Sequence, residues 1–133
     1  MERETAKPAL IDTDILIDAS RGLESAGRFL NDRQQGLGLT ISIVSAMELI
    51  AGCRNAGQLA GVRHFLAQCE IVPLTEAISE RAQKVMESFV LSHGILIPDA
   101  LIAATALEAG VPVFTRNARH FSMIPDLEVL QPY

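Results

Sequence analysis

The sequence predicts an α/β fold: a small, mostly parallel sheet covered by helices on both faces. Short apolar, β-branched runs alternate along the chain with longer stretches of helical periodicity. That alternation implies right-handed crossovers between parallel strands. The first run, Ala9-Leu10-Ile11, is continuously apolar, as a strand buried on both faces must be. It then stops abruptly at Asp12-Thr13-Asp14, two carboxylates separated by one hydroxyl. Open α/β folds bind ligands in the crevice beyond the carboxyl ends of such strands, so this boundary is where a site is expected.

The elements follow in order. Residues 8–11 form the first strand, bounded by Pro8 and Asp12. Asp14 is placed to cap a short helix over 15–19, and Gly22 ends that piece. A helix over 24–35 turns Phe29 and Leu30 inward and stops at Gly36. The β-branched stretch 39–43 is the second strand. Ser45 with Glu48 three residues on has capping-box spacing for a helix over 46–52. Leu59, Val62 and Leu66 make one stripe of a helix over 56–68. Residues 70–74 are a third strand. Thr75 caps a long helix over 76–92, closed by Gly94. Pro98 suits a first helical position, and Asp99 the first turn of a buried helix over 100–109 that Gly110 ends. The fourth and fifth strands are 111–115 and 127–130.

The whole chain, 1–133, reads as one domain without repeats or linkers. With 49% hydrophobic and 20% charged residues it has the composition of a folded chain, not a disordered one. The net charge of −5 and the pI near 5.1 argue against a general basic surface for gripping nucleic acid. Cys53 and Cys69 have no CxxC neighbour and no zinc spacing, so they read as reduced structural thiols. The charged opening, residues 1–4, has no apolar leader behind it, and residues 95–109 are too interrupted by Pro98, Asp99 and Glu108 to span a bilayer. A cytoplasmic location is the expectation.

Every strand of a parallel sheet points its carboxyl end to the same side. Asp12, Ser45 with Glu48, and Thr115 with Asn117 all follow strand ends and therefore share that side. Asp99 opens the helix that feeds the fourth strand, and simple counting sets it nearer the opposite end. Converging carboxylates without His or Cys ligands ask for a hard cation, Mg²⁺ or Mn²⁺, able to polarise a phosphoryl oxygen. Structural readings stand beside these. Asp14 can be only a cap, Glu48 only half of a capping box, and Asp99 only a complement to the helix dipole. Thr115 can be merely a strand's last residue, and Asn117 a turn residue. Asp12 at a strand end is hard to explain structurally. Arg116 and Arg119 flank the crevice and can meet phosphates, as solvated loop charges otherwise; Arg21 and Arg28 are further candidates. His64 and His93 read as surface helix residues. His120 sits beside the site, and Tyr133 carries no signal.

Four segments in order resemble a known family. Leu10-Ile11-Asp12-Thr13-Asp14, Ser45-Ala46-Met47-Glu48-Leu49, Pro98-Asp99-Ala100-Leu101-Ile102-Ala103-Ala104-Thr105-Ala106 and Thr115-Arg116-Asn117-Ala118-Arg119-His120-Phe121 are similar to PIN-domain ribonucleases, most of all the VapC toxins of bacterial toxin–antitoxin pairs. The resemblance implies a three-layer α/β/α sandwich and a Mg²⁺- or Mn²⁺-dependent endoribonuclease. It implies that Asp12, Glu48 and Asp99 are the metal-binding acids, with Asp99 at the site after all. It gives Thr115 a role in positioning a ligating acid or water. Asp14 and Asn117 then support that shell. Asn117 stands where many relatives carry a fourth acid, and His120 where an acid before Phe is common. The family's toxins cut RNA, are silenced by a VapB-like antitoxin and usually form homodimers. A mean hydropathy of +0.26 is compatible with apolar surface for either partner. Other readings are a PIN-like nuclease of RNA maturation, or an idle binding module whose acids only cap helices.

Overall fold

The computed structural model describes residues 7–133, and the charged residues 1–4 lie outside them. Its elements alternate as expected: β1 (Leu10–Ile11), α1 (Thr13–Ser20), α2 (Glu24–Gln35), β2 (Leu39–Ser42), α3 (Ile43–Ala51), α4 (Ala56–Leu66), β3 (Cys69–Val72), α5 (Glu76–His93), α6 (Ile97–Ala109), β4 (Val113–Phe114) and β5 (Val129–Leu130). A 3₁₀ turn, Ala118–His120, lies between β4 and β5. Every ladder is parallel: β1 with β4, β4 with β5, and β2 with β3. The ladder hydrogen bonds form two sheets instead of one, β1-β4-β5 and β2-β3, which adjoin where β1 lies beside β2.

Two-faced burial explains the apolar first strand. Ile11 and Phe114 point into one core, with Ile15 and Leu16 of α1 and Phe29 and Leu30 of α2. Leu10 and Val113 point into the other, with Val85 of α5, Ile102, Ala103 and Ala106 of α6, and Phe121 and Ile124. Ile11 is fully buried, and side chains of that size contribute about 1.5–3 kcal/mol each when taken from water. Phe29 meets Phe114 edge-on at 4.9 Å between ring centroids, and the buried Arg33 lies 5.1 Å over the same ring. Arg33 also donates to the Lys7 carbonyl, and burial lowers its pKa from the ordinary value.

Helix ends account for most departures from expectation. Asp14 does not cap α1. Asp12 does, its Oδ1 accepting from the Thr13 amide at 2.8 Å, so the helix starts earlier than expected. Likewise Ser42, not Ser45, caps α3 by accepting from the Val44 amide at 3.0 Å. The second strand therefore ends at Ser42. Ile43 and Val44 suit a strand locally, but the cap at Ser42 turns them into the first helical turn, where Val44 packs in the core. The later strands are shorter than expected, and α6 opens early, at Ile97; several caps follow the sequence. Thr75 caps α5, and Gly94 and Gly110 close α5 and α6 at φ 61° and 68°, where a Cβ would be strained. Among the described residues, no helix is long and apolar enough to cross a membrane, and both cysteines are free, half-buried thiols.

One topological expectation is overturned. Counting along the chain set Asp99 away from the crevice. But α6 ends at Ala109, just before β4 opens at Val113. The helix thus descends to the amino end of β4, and its thirteen residues span about 20 Å at the usual rise. Its first turn, with Asp99, is therefore carried to the carboxyl ends of the strands.

Candidate active site

Asp12 is the last residue before α1 and is 6% exposed. Its extended backbone carries β1 into the helix, and both carboxylate oxygens are engaged. Oδ1 accepts the Thr13 amide, and Oδ2 accepts the Thr115 hydroxyl at 2.9 Å. That same hydroxyl also points to Asp14 Oδ2 at 3.2 Å. Asp14 Oδ2 further accepts the Arg116 amide at 3.0 Å and the Asn117 side-chain amide at 2.9 Å. Asp14 Oδ1 is buried and has no partner. Thr115 in turn accepts the Asn117 backbone amide at 3.0 Å. The loop after β4 is thus laid across the first turn of α1, and Asp14 is the post it is tied to.

A second chain of hydroxyls links α1 to α3. Thr13 donates to Glu48 Oε1 at 2.7 Å. Its single proton being used there, the Thr13–Ser45 contact of 2.7 Å is donated by Ser45. Ser45 is fully buried in the first turn of α3. It and Glu48 form no capping box; they share one face of α3 and turn it toward α1.

Asp99 lies in the first turn of α6, with His120 Nδ1 3.6 Å from its Oδ2. That separation is within ion-pair range and too long for a hydrogen bond. The charges of Asp14 and Asp99 reach Asp12, and those of Glu48 and Asp14 reach Asp99. Burial, then the nearby charges of Asp14 and Asp99, push the Asp12 carboxyl up to about 7 against the opposing hydrogen bonds from Thr115 and Thr13. Burial also raises Asp99; His120 works against that, while Glu48 and Asp14 add to it. The site therefore gathers anionic groups that destabilise one another. Among the described residues, no three acids, histidines or cysteines stand close enough to cage an ion as they are. Glu48 is held by the Thr13 hydroxyl.

Arg116 reaches back to α1, its Nε 2.7 Å from Asp18 Oδ2, and the Tyr133 phenol donates to that same oxygen at 2.8 Å. Arg119 is exposed on the 3₁₀ turn. Arg28 pairs with Glu24 on α2, and Arg21 lies exposed at the end of α1. His64 and His93 are exposed on α4 and α5.

Sequence reasoning gave no role to Thr13, Asp18 or Tyr133. Asp18 was within reach of it, because it follows Asp14 by four residues and so shares its helix face. Thr13 stood in plain view between two acids. Tyr133 had no local signal, since its partner is 115 residues away.

Beside Glu48 opens a groove of about 700 Å³ between α1, α2, α3 and α4, with Leu16, Ile17, Leu49, Val62 and Phe65 among its lining. No residue of α4 is buried.

The family model described as PIN domain matches residues 9–127. The chain is 38% identical over 120 residues to Ribonuclease VapC10 of Mycobacterium tuberculosis, covering 90% of each. It is 33% identical over 130 residues to Ribonuclease VapC1 of Methanocaldococcus jannaschii, covering 95% of this chain and 87% of that one. A toxin–antitoxin complex from Klebsiella pneumoniae contains a chain with TM-score 0.78 and 31% identity, over 95% of this chain and 98% of that one. VapBC-1 from nontypeable Haemophilus influenzae has the same fold, with TM-score 0.78 at 22% identity over 93% and 97% of the two chains.

Proposed function

This chain belongs to the PIN-domain family, and from that premise we propose that it is a Mg²⁺- or Mn²⁺-dependent endoribonuclease acting as the toxin of a toxin–antitoxin pair. One observation carries the reading. Asp12, 6% exposed at the carboxyl end of β1, stands within reach of the charges of Asp14 and Asp99, which together with burial push its pKa up. A protein gains nothing in stability from gathering such groups unless something positive joins them.

The donor set fits a hard divalent cation. The acids Asp12, Asp14, Glu48 and Asp99 and the hydroxyls of Thr13 and Thr115 are oxygen donors, with the His120 imidazole paired to Asp99, and the buried Asp14 Oδ1 has no hydrogen-bond partner. Asp12, Glu48 and Asp99 would hold the ion. A cation there supplies Lewis-acid polarisation of a phosphoryl oxygen and offsets the negative charge that would otherwise repel the phosphodiester. The chain's own groups do the rest. Thr115 orients Asp12 and Asp14 with one proton, Asn117 braces Asp14, and Thr13 orients Glu48. Water has access because Asp99 and Glu48 are not sealed from solvent.

Two partners belong to this reading. The apolar groove bordered by the unburied α4 is suited to an amphipathic segment of a VapB-like antitoxin, which would pass beside Glu48 and close the crevice. Leu91, Leu96 and Ile97, at 98%, 62% and 64% exposure, are apolar side chains that a homodimer would cover. RNA as substrate goes with a cytoplasmic site of action.

The test is cleavage of a total-RNA pool by purified protein. Mn²⁺ should produce discrete fragments and EDTA should stop it. Asp12→Asn should remove the activity while circular dichroism stays that of the native chain, since Asn can still cap α1. An RNA pool left intact with Mn²⁺ present would overturn the proposal.

A further inference from the structure

Asp14 and Asp18 lie on one face of α1, and both hold Arg116. Asp14 takes its backbone amide at 3.0 Å, and Asp18 takes its Nε at 2.7 Å. Asp18 is itself held, because the Tyr133 phenol donates to the same oxygen at 2.8 Å. Burial and that hydrogen bond raise the phenol's pKa, so it remains a donor across the working pH range. Exposed ion pairs contribute little and are loosely fixed. This one differs: Asp18 is only 13% exposed, and a second donor fixes its carboxylate. A guanidinium is a planar fork with two edges. Asp18 occupies the Nε side with a single oxygen, while the Arg116 side chain stays 49% exposed. The Nη edge can therefore receive an oxyanion in two parallel hydrogen bonds.

We propose that Arg116 clamps a backbone phosphate of single-stranded RNA beside the scissile linkage, with Asp18 and Tyr133 as positioning residues that hold its guanidinium at the rim of the acids. The proposal rests on the nuclease reading and adds the means of substrate grip. Arg116 directly follows Thr115, whose hydroxyl bonds Asp12, so the phosphate it takes is a neighbour of the one at the acids. A net charge of −5 gives the chain no general attraction for a polyanion. One fixed cation close to the cut then decides where the strand lies, and phosphate contacts set register in this way.

The test is binding of a short fluorescein-labelled single-stranded RNA, followed by anisotropy in EDTA so that nothing is cut. Arg116→Gln should weaken binding roughly ten- to a hundredfold, as the loss of a charge-assisted contact does. It should also lower the slope of log affinity against log salt by about 0.7. Tyr133→Phe changes no charge and should weaken binding about two- to threefold through the lost hydrogen bond. The Arg116→Gln/Tyr133→Phe double variant should bind no worse than Arg116→Gln alone, since the phenol acts through the arginine. Arg116→Lys should restore the salt slope but not the full affinity. Thermal unfolding of each variant separates these effects from loss of fold. An unchanged affinity and salt slope in Arg116→Gln overturns the clamp, as does a wild type that binds no RNA. Effects of the two single substitutions that multiply in the double variant overturn the role of Tyr133. Absent cleavage with Mn²⁺ would overturn the nuclease reading instead, leaving the clamp to be judged on binding.

Discussion

Thr115 has one hydroxyl proton and two acceptors for it, Asp12 Oδ2 and Asp14 Oδ2, while its oxygen accepts from the Asn117 amide. The residue is fully buried. Thr115→Val keeps the shape and strands all three partners, so it should cost about 1–3 kcal/mol in chemical denaturation, whereas Thr115→Ser should stay near wild type. Asp12 gives a pH dependence with a definite sign. Its folded pKa of about 7 lies above the ordinary 3.8, so between those values the folded state binds more protons than the unfolded one. Stability of the metal-free protein is then greatest below pH 3.8 as far as this group is concerned, and is lost as the pH rises to about 7. Urea melts across that window should show the fall. Asp12→Asn should flatten it and make the metal-free protein more stable at neutral pH by roughly 1–3 kcal/mol. A wild-type curve that rises with pH after subtraction of the Asn variant would contradict this account.

At the level of elements, α3 separates a correct reading from a wrong one. Capping-box spacing in the sequence pointed to Ser45. The structure uses Ser42, because the strand ends there in an extended conformation that an N-cap needs. Ser42→Ala should therefore destabilise the fold by about 1 kcal/mol, measurable as a shifted urea midpoint at constant m-value. Local chemistry was legible wherever the deciding contact was local: Thr75 before α5, Gly94 and Gly110 after their helices, and the apolar β1 that ends in an acid. It failed where distant partners decide. Asp12 caps α1 and also takes the hydroxyl of Thr115, 103 residues away, and Tyr133 reaches Asp18. Asp99, which the family resemblance set at the site, was misplaced only by counting elements. Counting elements ignored that a helix feeding a parallel strand must start at that strand's far end.

Across the whole molecule, four acids from three separate helices or their caps stand within electrostatic reach of one another. Filling the site with a cation should therefore stabilise the fold as a whole. Unfolding at pH 7 with Mn²⁺ at a hundred times its dissociation constant should gain about 2.7 kcal/mol, reversed by EDTA. Asp12→Asn should lose most of that gain, and a melting temperature indifferent to Mn²⁺ in the wild type would count against any resident ion. The parallel pairing of β1 with β4 has a further consequence. Leu10 and Ile11 gain their ladder partners only at Val113 and Phe114, and β4 in turn pairs with Val129 and Leu130. Synthesis proceeds from the amino end, so a growing polypeptide holds Asp12 long before it holds the Thr115 that orients it. While still threaded through the ribosome it lacks the assembled crevice. On the nuclease reading, the machinery translating this protein is spared at least until β4 and β5 have emerged.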